Sequence, residues 1–380
     1  MAGRKDRVEA VQLLRAVAAG TVALVHIAFG FADHIGSGLG LPRAFAGQAG
    51  QIAVAVFFVI SGYVMVVSSS GLFGSHGAAR YFWARRIIRI MPPYWLATML
   101  LVGWLLFLGR DVEWIDLGRS LLLIPYWNGA NDAQPLPMLW PGWTLFYEMV
   151  FYALFGVCLV AGRRAVPAFV CGAIAVLVII GTLFEPHGAL MFSLTRPVLL
   201  LFPCGVILAI WRSRGMALPP WLRWSAMISA FVAASLMQPP NGDWLGLAYV
   251  RWAGIPAVLL SVGALGGPLR LAGFRAVDRL GDASYALYLL HLPVAMVWIW
   301  IYVRVAAPLG SWGFVLSCLV LTYGVSLLFY RFVERPVTRA LNRHLPHIGI
   351  GVDLNGGVDL NGRAEPPNGE PGSKGRPARS

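Results

Sequence analysis

Apolar runs close to twenty residues long recur along this chain almost from end to end, and that recurrence limits what it can fold into. An α-helix rising ~1.5 Å per residue needs about 20 residues to cross the ~30 Å hydrocarbon core of a bilayer. Ten runs fit that measure: residues 10–31, 50–69, 91–108, 142–161, 165–184, 195–212, 222–238, 246–266, 284–305 and 312–333. With 58% hydrophobic and only 12% charged residues, the chain lacks the polar surface to cover a water-soluble globule of 380 residues. The expected fold is an all-α integral membrane protein, a bundle of about ten transmembrane helices.

The net charge of +13 would suit a nucleic-acid partner if the basic residues formed one patch. They follow the membrane topology instead. If the N-terminus is cytoplasmic, Arg4, Lys5, Arg7, Arg80, Arg85, Arg86, Arg89, Arg163 and Arg164 fall on cytoplasmic segments, as do most of the remainder. Arg43, Arg110, Arg119, Arg196, Arg251 and Arg304 fall outside or near the outer ends. This is the positive-inside pattern, and an even number of spans then puts both termini in the cytoplasm. No nucleic-acid partner is expected.

Residues 1–344 read as one transmembrane domain. From about Leu345 the composition turns to Gly, Pro and charge, and GVDLNG occurs twice in tandem within 351–362. Residues 345–380 cannot bury an apolar core and are expected to be a disordered cytoplasmic tail. The four cysteines all fall inside apolar runs without CxxC spacing, which predicts packing roles, no disulfide framework and no metal site. Arg15 interrupts the first run, so that run reads as a span and not as a secretory signal. Arg80 to Tyr94, RYFWARRIIRIMPPY, has the pattern of an interfacial helix leading into the third span at Pro92 and Pro93. The outer connection 109–141, rich in Trp, Asp and Pro, is expected to re-enter the membrane partly or to pack over the outer mouth.

Ionisable residues inside the runs carry the chemistry, because a charge in hydrocarbon costs about 2.5–3.5 kcal/mol on insertion scales and usually faces a bundle interior. Arg15 and His26 are eleven residues apart, about 16 Å along a helix and within about 20° of the same azimuth. They share one face at two depths, Arg15 toward the cytoplasm and His26 toward the outside. Glu148, in GWTLFYEMVFY, is expected about 9 Å below the outer surface, near the depth of His26. A carboxylate beside an imidazole would make the histidine a general base. Asp282, Ser284, Tyr285 and His291 are expected near the cytoplasmic side around the depth of Arg15, together with Arg86 and Arg89. The inner layer is cationic and suits a phosphorylated ligand. Trp127, Trp140 and Trp143 form an outer rim that could stack on a sugar ring or belong to the interfacial belt.

Arg15 and His26 in QLLRAVAA and the ten residues that follow, FFVISGY (Phe57 to Tyr63), Arg86 and Arg89 followed by IMPPYW, GWTLFYEMVFY around Glu148, LGDASYALYLLH ending at His291, and FVERP (Phe332 to Pro336) resemble the membrane-bound acyltransferase-3 family. The resemblance covers about residues 8 to 340 in order. Within the family, QLLRAVAA and GWTLFYEMVFY most resemble the exopolysaccharide-production (ExoZ-like) branch.

The resemblance implies a multi-pass O-acyltransferase of the bacterial inner membrane. Its donor would be cytoplasmic acyl-CoA, with acetyl-CoA expected. Its acceptor would be a hydroxyl of a carbohydrate such as an exopolysaccharide, an O-antigen or a lipid-linked sugar. His26 would be the catalytic histidine with Arg15 its partner, Glu148 would support catalysis, and Arg86 and Arg89, with Arg15 and His291, would bind the donor. Ala53, Val54 and Ala55 stand where many relatives have Gly-Val-Asp, and Phe146 replaces their Asn, which leaves the second span without an assigned role and alters acceptor contacts. Direct transfer with His26 as base and an acyl-enzyme on Ser61 or His26 are both open, Ser61 having no adjacent base evident in the sequence. The rival class is a transporter or flippase of a glycan or its lipid-linked precursor. The two halves of the chain show no convincing internal repeat of the kind common in transporters.

Overall fold

The computed structural model describes residues 2–30, 35, 39, 43–128, 134–161, 164–240, 242, 244–268, 275–305 and 310–345. The tail with its tandem GVDLNG, from residue 346 onward, lies outside them. In chain order the helices are α1 (Ala2–Gly30), α2 (Arg43–Ser68), α3 (Ala78–Phe107), the short α4 (Trp114–Leu121), α5 (Trp143–Ala161) and α6 (Val166–Phe184). There follow α7 (Ala189–Ser213), α8 (Pro220–Leu236), α9 (Leu247–Leu265), the short α10 (Arg275–Asp282), α11 (Ser284–Val305) and α12 (Gly310–Asn342). No strand forms among the described residues.

Nine helices among the described residues are long and apolar enough to cross a membrane. The expected count was about ten. The seventh apolar run forms α8, a helix of 17 residues and so about 25 Å long, shorter than the others. The outer surface of the bundle is itself apolar: Val160, Leu183, Phe184, Leu236 and Val320 are each more than 70% exposed. Such a surface is stable against lipid and not against water.

Two boundaries differ from the expectation. The basic stretch at Arg80 is not a separate interfacial helix, because α3 runs unbroken for 30 residues with Pro92 and Pro93 inside it. Proline removes a backbone donor, and inside a bundle neighbouring side chains can support the loosened turn. Here the Tyr285 hydroxyl donates to the Ile90 carbonyl at 2.8 Å, two residues before Pro92. The last apolar run also continues beyond residue 333. It passes through a π-helical turn at Tyr330–Glu334, which turns Glu334 inward until it is 6% exposed.

α1 is packed by α2, α9, α10, α11 and α12 and leaves Val17 and Leu24 exposed on its other face. The closest helix pair is α2 against α7. A Cβ added to Gly62 would stand 2.1 Å from the Phe202 carbonyl oxygen, and one added to Gly205 would stand 1.9 Å from that of Val59. Glycine at both positions lets two backbones touch, as small residues do at helix contacts in membranes. Below, the end of the bundle where α1 begins is termed basal and the end where α1 finishes apical.

Candidate active site

At the apical end, His26 of α1 meets His291 of α11, their Nδ1 and Nε2 atoms 2.8 Å apart. The rings are near-parallel, with centroids 5.0 Å apart and an interplanar angle of 13°. His291 is fully buried, and its Nδ1 lies 3.2 Å from the Leu287 carbonyl oxygen one turn earlier. His26 is half-buried beneath Trp140, whose ring lies 4.7 Å away at 40°.

His291 therefore stands with His26 and not at the depth of Arg15, where it was expected. Seven residues separate it from Ser284 at the start of α11, a climb of about 10 Å. Asp282, just before that start, stays basal: it accepts a hydrogen bond from Gln12, a turn before Arg15. Burial pushes the Asp282 carboxyl up, and Arg15 and the Gln12 bond oppose that shift.

Glu148 also differs from the expectation. Its Oε1 accepts from the Ser61 hydroxyl at 2.5 Å and from the Tyr152 hydroxyl at 3.3 Å, whereas His26 pairs with His291. The residues Trp140–Gly142 form a 3-10 turn that puts Trp140 at the level of His26. The next turn, at Thr144, is tied at 2.8 Å to the Tyr288 hydroxyl, and Tyr288 itself donates to Pro141. Glu148 lies a further turn toward the base, about 6 Å deeper than Thr144. The residue that gains a neighbour is Ser61: its hydroxyl meets the Glu148 carboxylate, which comes from 87 residues away and which the sequence did not place beside it.

The basal layer is ionic. Arg15 lies in electrostatic range of Arg89, Asp282, Glu334 and Glu148. Glu334 in turn lies in range of Arg89, Arg15 and Asp282. Glu334 was not among the expected site residues; its only signal in the sequence was the FVERP motif. Arg86 is buried, donates to the Ser68 hydroxyl at 3.0 Å and packs over the rings of Phe82 and Tyr152 at 5.3 and 5.6 Å. Arg86 and Arg89 line one pocket at the basal end with Arg85, Tyr81, Ser68 and Ser69. Thr338 and Asn342 of α12 complete it. Ser69 Oγ, Thr338 Oγ1 and Asn342 Oδ1 are buried there without hydrogen-bond partners, so a ligand bearing donors and acceptors would satisfy them. Arg15 and Arg89 form no ion pair closer than 4 Å among the described residues.

The three rim tryptophans have protein partners. Trp140 covers His26, Trp127 packs on Phe192 and donates to the His187 carbonyl, and Trp143 packs against Phe58, Tyr147 and Trp244. The outer connection reaches down to the middle of α3, where Tyr94 and Trp95 donate to the carbonyls of Ser120 and Leu121 in α4. The four cysteines are free thiols. Among the described residues no group of three or more His, Cys, Asp or Glu side chains is placed to hold a metal ion.

Residues 8–331 match the family described as Acyltransferase domain. The chain is 33% identical over 300 residues to the exopolysaccharide production protein ExoZ of Rhizobium meliloti, covering 76% of this chain and 90% of that protein. It is 26% identical over 336 residues to the acyltransferase MdmB of Streptomyces mycarofaciens, covering 78% and 83% of the two chains. It is 25% identical over 365 residues to YrhL of Bacillus subtilis, whose name proposes a peptidoglycan O-acetyltransferase. That match covers 85% of this chain and 54% of YrhL, so the chain spans about half the length of that relative. No solved structure matches the chain.

Proposed function

The chain belongs to this acyltransferase family, a multi-pass membrane protein within it, and from that premise we propose that it O-acylates a carbohydrate at the bacterial inner membrane. The donor is cytoplasmic acyl-CoA, with acetyl the transferred group, and the acceptor is a hydroxyl of an exported or cell-surface glycan. The supporting observation is a polar column through one apolar bundle. It starts at the basal pocket of Arg86 and Arg89, passes Arg15 and Glu148, and ends at His26 and His291. Basal is cytoplasmic in this reading, in accord with the distribution of arginine along the sequence.

The donor's phosphates bind Arg86 and Arg89, whose guanidinium groups suit bidentate contact and form no carboxylate pair within 4 Å among the described residues. The thioester points toward His26. His26 takes the proton of the acceptor hydroxyl as its oxygen attacks the thioester carbonyl. The C–S bond then breaks, and the proton passes from His26 to the leaving thiolate. General-base catalysis of this kind contributes about 10²–10⁴-fold. Glu148 serves this scheme from one layer below, holding Ser61 and Tyr152 and balancing the charges of Arg15 and Arg86.

Mass spectrometry of the surface polysaccharide tests the reading. A deletion strain should make polymer that lacks an ester group, and a copy carrying His26→Ala, present at normal membrane abundance, should not restore it. Loss of polymer from the surface, with the ester intact on what remains inside, would instead indicate a transporter.

A further inference from the structure

We propose that His291 is a positioning residue for His26: it fixes the tautomer in which His26 Nε2, and not Nδ1, holds the lone pair that receives the substrate proton. This rests on the reading of His26 as the general base.

The argument is a chain of donors and acceptors. His291 is fully buried, and its Nδ1 lies 3.2 Å from the carbonyl oxygen of Leu287. A carbonyl oxygen only accepts, so the proton of this contact sits on His291 Nδ1. A neutral imidazole carries one N–H, which leaves His291 Nε2 as an acceptor. That Nε2 is 2.8 Å from His26 Nδ1, so His26 donates from Nδ1 and its own Nε2 keeps the lone pair. A doubly protonated His291 would lose the acceptor that faces His26 and would bury a charge with no carboxylate bonded to either ring among the described residues. Trp140 covers His26, and the Tyr288 ring lies 6.0 Å from that of His291, so neither neighbour competes for the shared contact.

During transfer the acceptor proton lands on His26 Nε2 and leaves with the departing sulfur. Throughout, the His26 Nδ1–H remains bonded to His291 Nε2, which shares the positive charge. His291 gains and loses nothing over the cycle. Its contribution is orientation and charge sharing, the part played by the orienting carboxylate in Ser-His-Asp triads, taken here by a neutral ring.

Inverted membrane vesicles supplied with radiolabelled acetyl-CoA and their own polysaccharide provide the test. Initial rates of label entering polysaccharide are read against acetyl-CoA concentration, with protein abundance measured by immunoblot. His291→Leu should lower kcat about 10²-fold and leave KM for acetyl-CoA within about two-fold. His291→Gln, whose side-chain oxygen can accept from His26 Nδ1, should recover to within about ten-fold of the parent. A parental kcat in His291→Leu overturns the proposal, as does a loss confined to KM. If His291→Leu does not reach the membrane, His291→Gln decides alone: a rate within about ten-fold supports the proposal and silence at normal abundance overturns it. His26→Ala is run alongside. Activity retained there removes the general-base reading itself, whereas a silent His26→Ala beside a fully active His291→Leu removes only the positioning role.

Discussion

The apical and basal ends of the polar column solve the burial of ionisable groups in opposite ways. At the apex two histidines share one hydrogen bond under an aromatic cover, and neither needs a counter-charge. At the base three guanidinium groups, of Arg15, Arg86 and Arg89, face three carboxyl groups, of Asp282, Glu148 and Glu334, in one electrostatic neighbourhood without close pairing. The apex depends on a single directed contact, while the base spreads its charge over many members. The apex should therefore fail through kcat when one atom is lost, and the base should fail through donor affinity and by degrees.

The sharpest break is His26→Ala, which should lower the transfer rate by about 10²–10⁴-fold at unchanged abundance. A rate near the parent's would move the chemistry away from the apex. Next, Arg89→Ala should raise KM for acetyl-CoA by about 10–100-fold, the scale of one charge-assisted hydrogen bond, with a smaller change in kcat. A pure kcat loss would place Arg89 with the histidines and erase the contrast between the ends. Third, Glu148→Gln and Ser61→Ala should each reduce the rate by about ten-fold, and the double variant should be no slower than the worse single one, because the two share one hydrogen bond. Losses that multiply would show that Ser61 and Glu148 act separately. The smallest effect is expected from the tryptophans. Trp140→Leu should slow transfer by about three- to ten-fold through the lost ring over His26, on the scale of about 1 kcal/mol for such a contact, and Trp127→Leu should leave the rate unchanged. Equal effects would argue for a general interfacial belt.

How far the sequence reached depends on whether a feature is local. The helix period alone put Arg15 and His26 on one face, and in the structure both do look toward the α10–α11 side of the bundle, Arg15 into the range of Asp282 and His26 onto His291. The same arithmetic misjudged Glu148 and His291, because a depth counted from the end of an apolar run assumes that every helix starts at the same level. The helices begin within a residue of the expected runs, but the 3-10 turn at Trp140 already stands at the level of His26, which leaves Glu148 about two turns below it, and seven residues from Ser284 carry His291 about two turns above the base. Glu334 is hidden for a related reason: the last apolar run ends at residue 333, but a π-helical turn carries the helix on and turns that carboxylate inward.

The sequence by itself determined the class of the molecule, its apolar segments and the ionisable residues that interrupt them, since hydropathy and the 3.6-residue period are properties of a single segment. Only the tertiary structure decided the partners. His26 and His291 are 265 residues apart, and Ser61 and Glu148 are 87 apart. A hydrogen bond forms within a few tenths of an ångström, whereas the meeting level of two helices depends on caps, breaks and close glycine contacts distributed over the whole bundle.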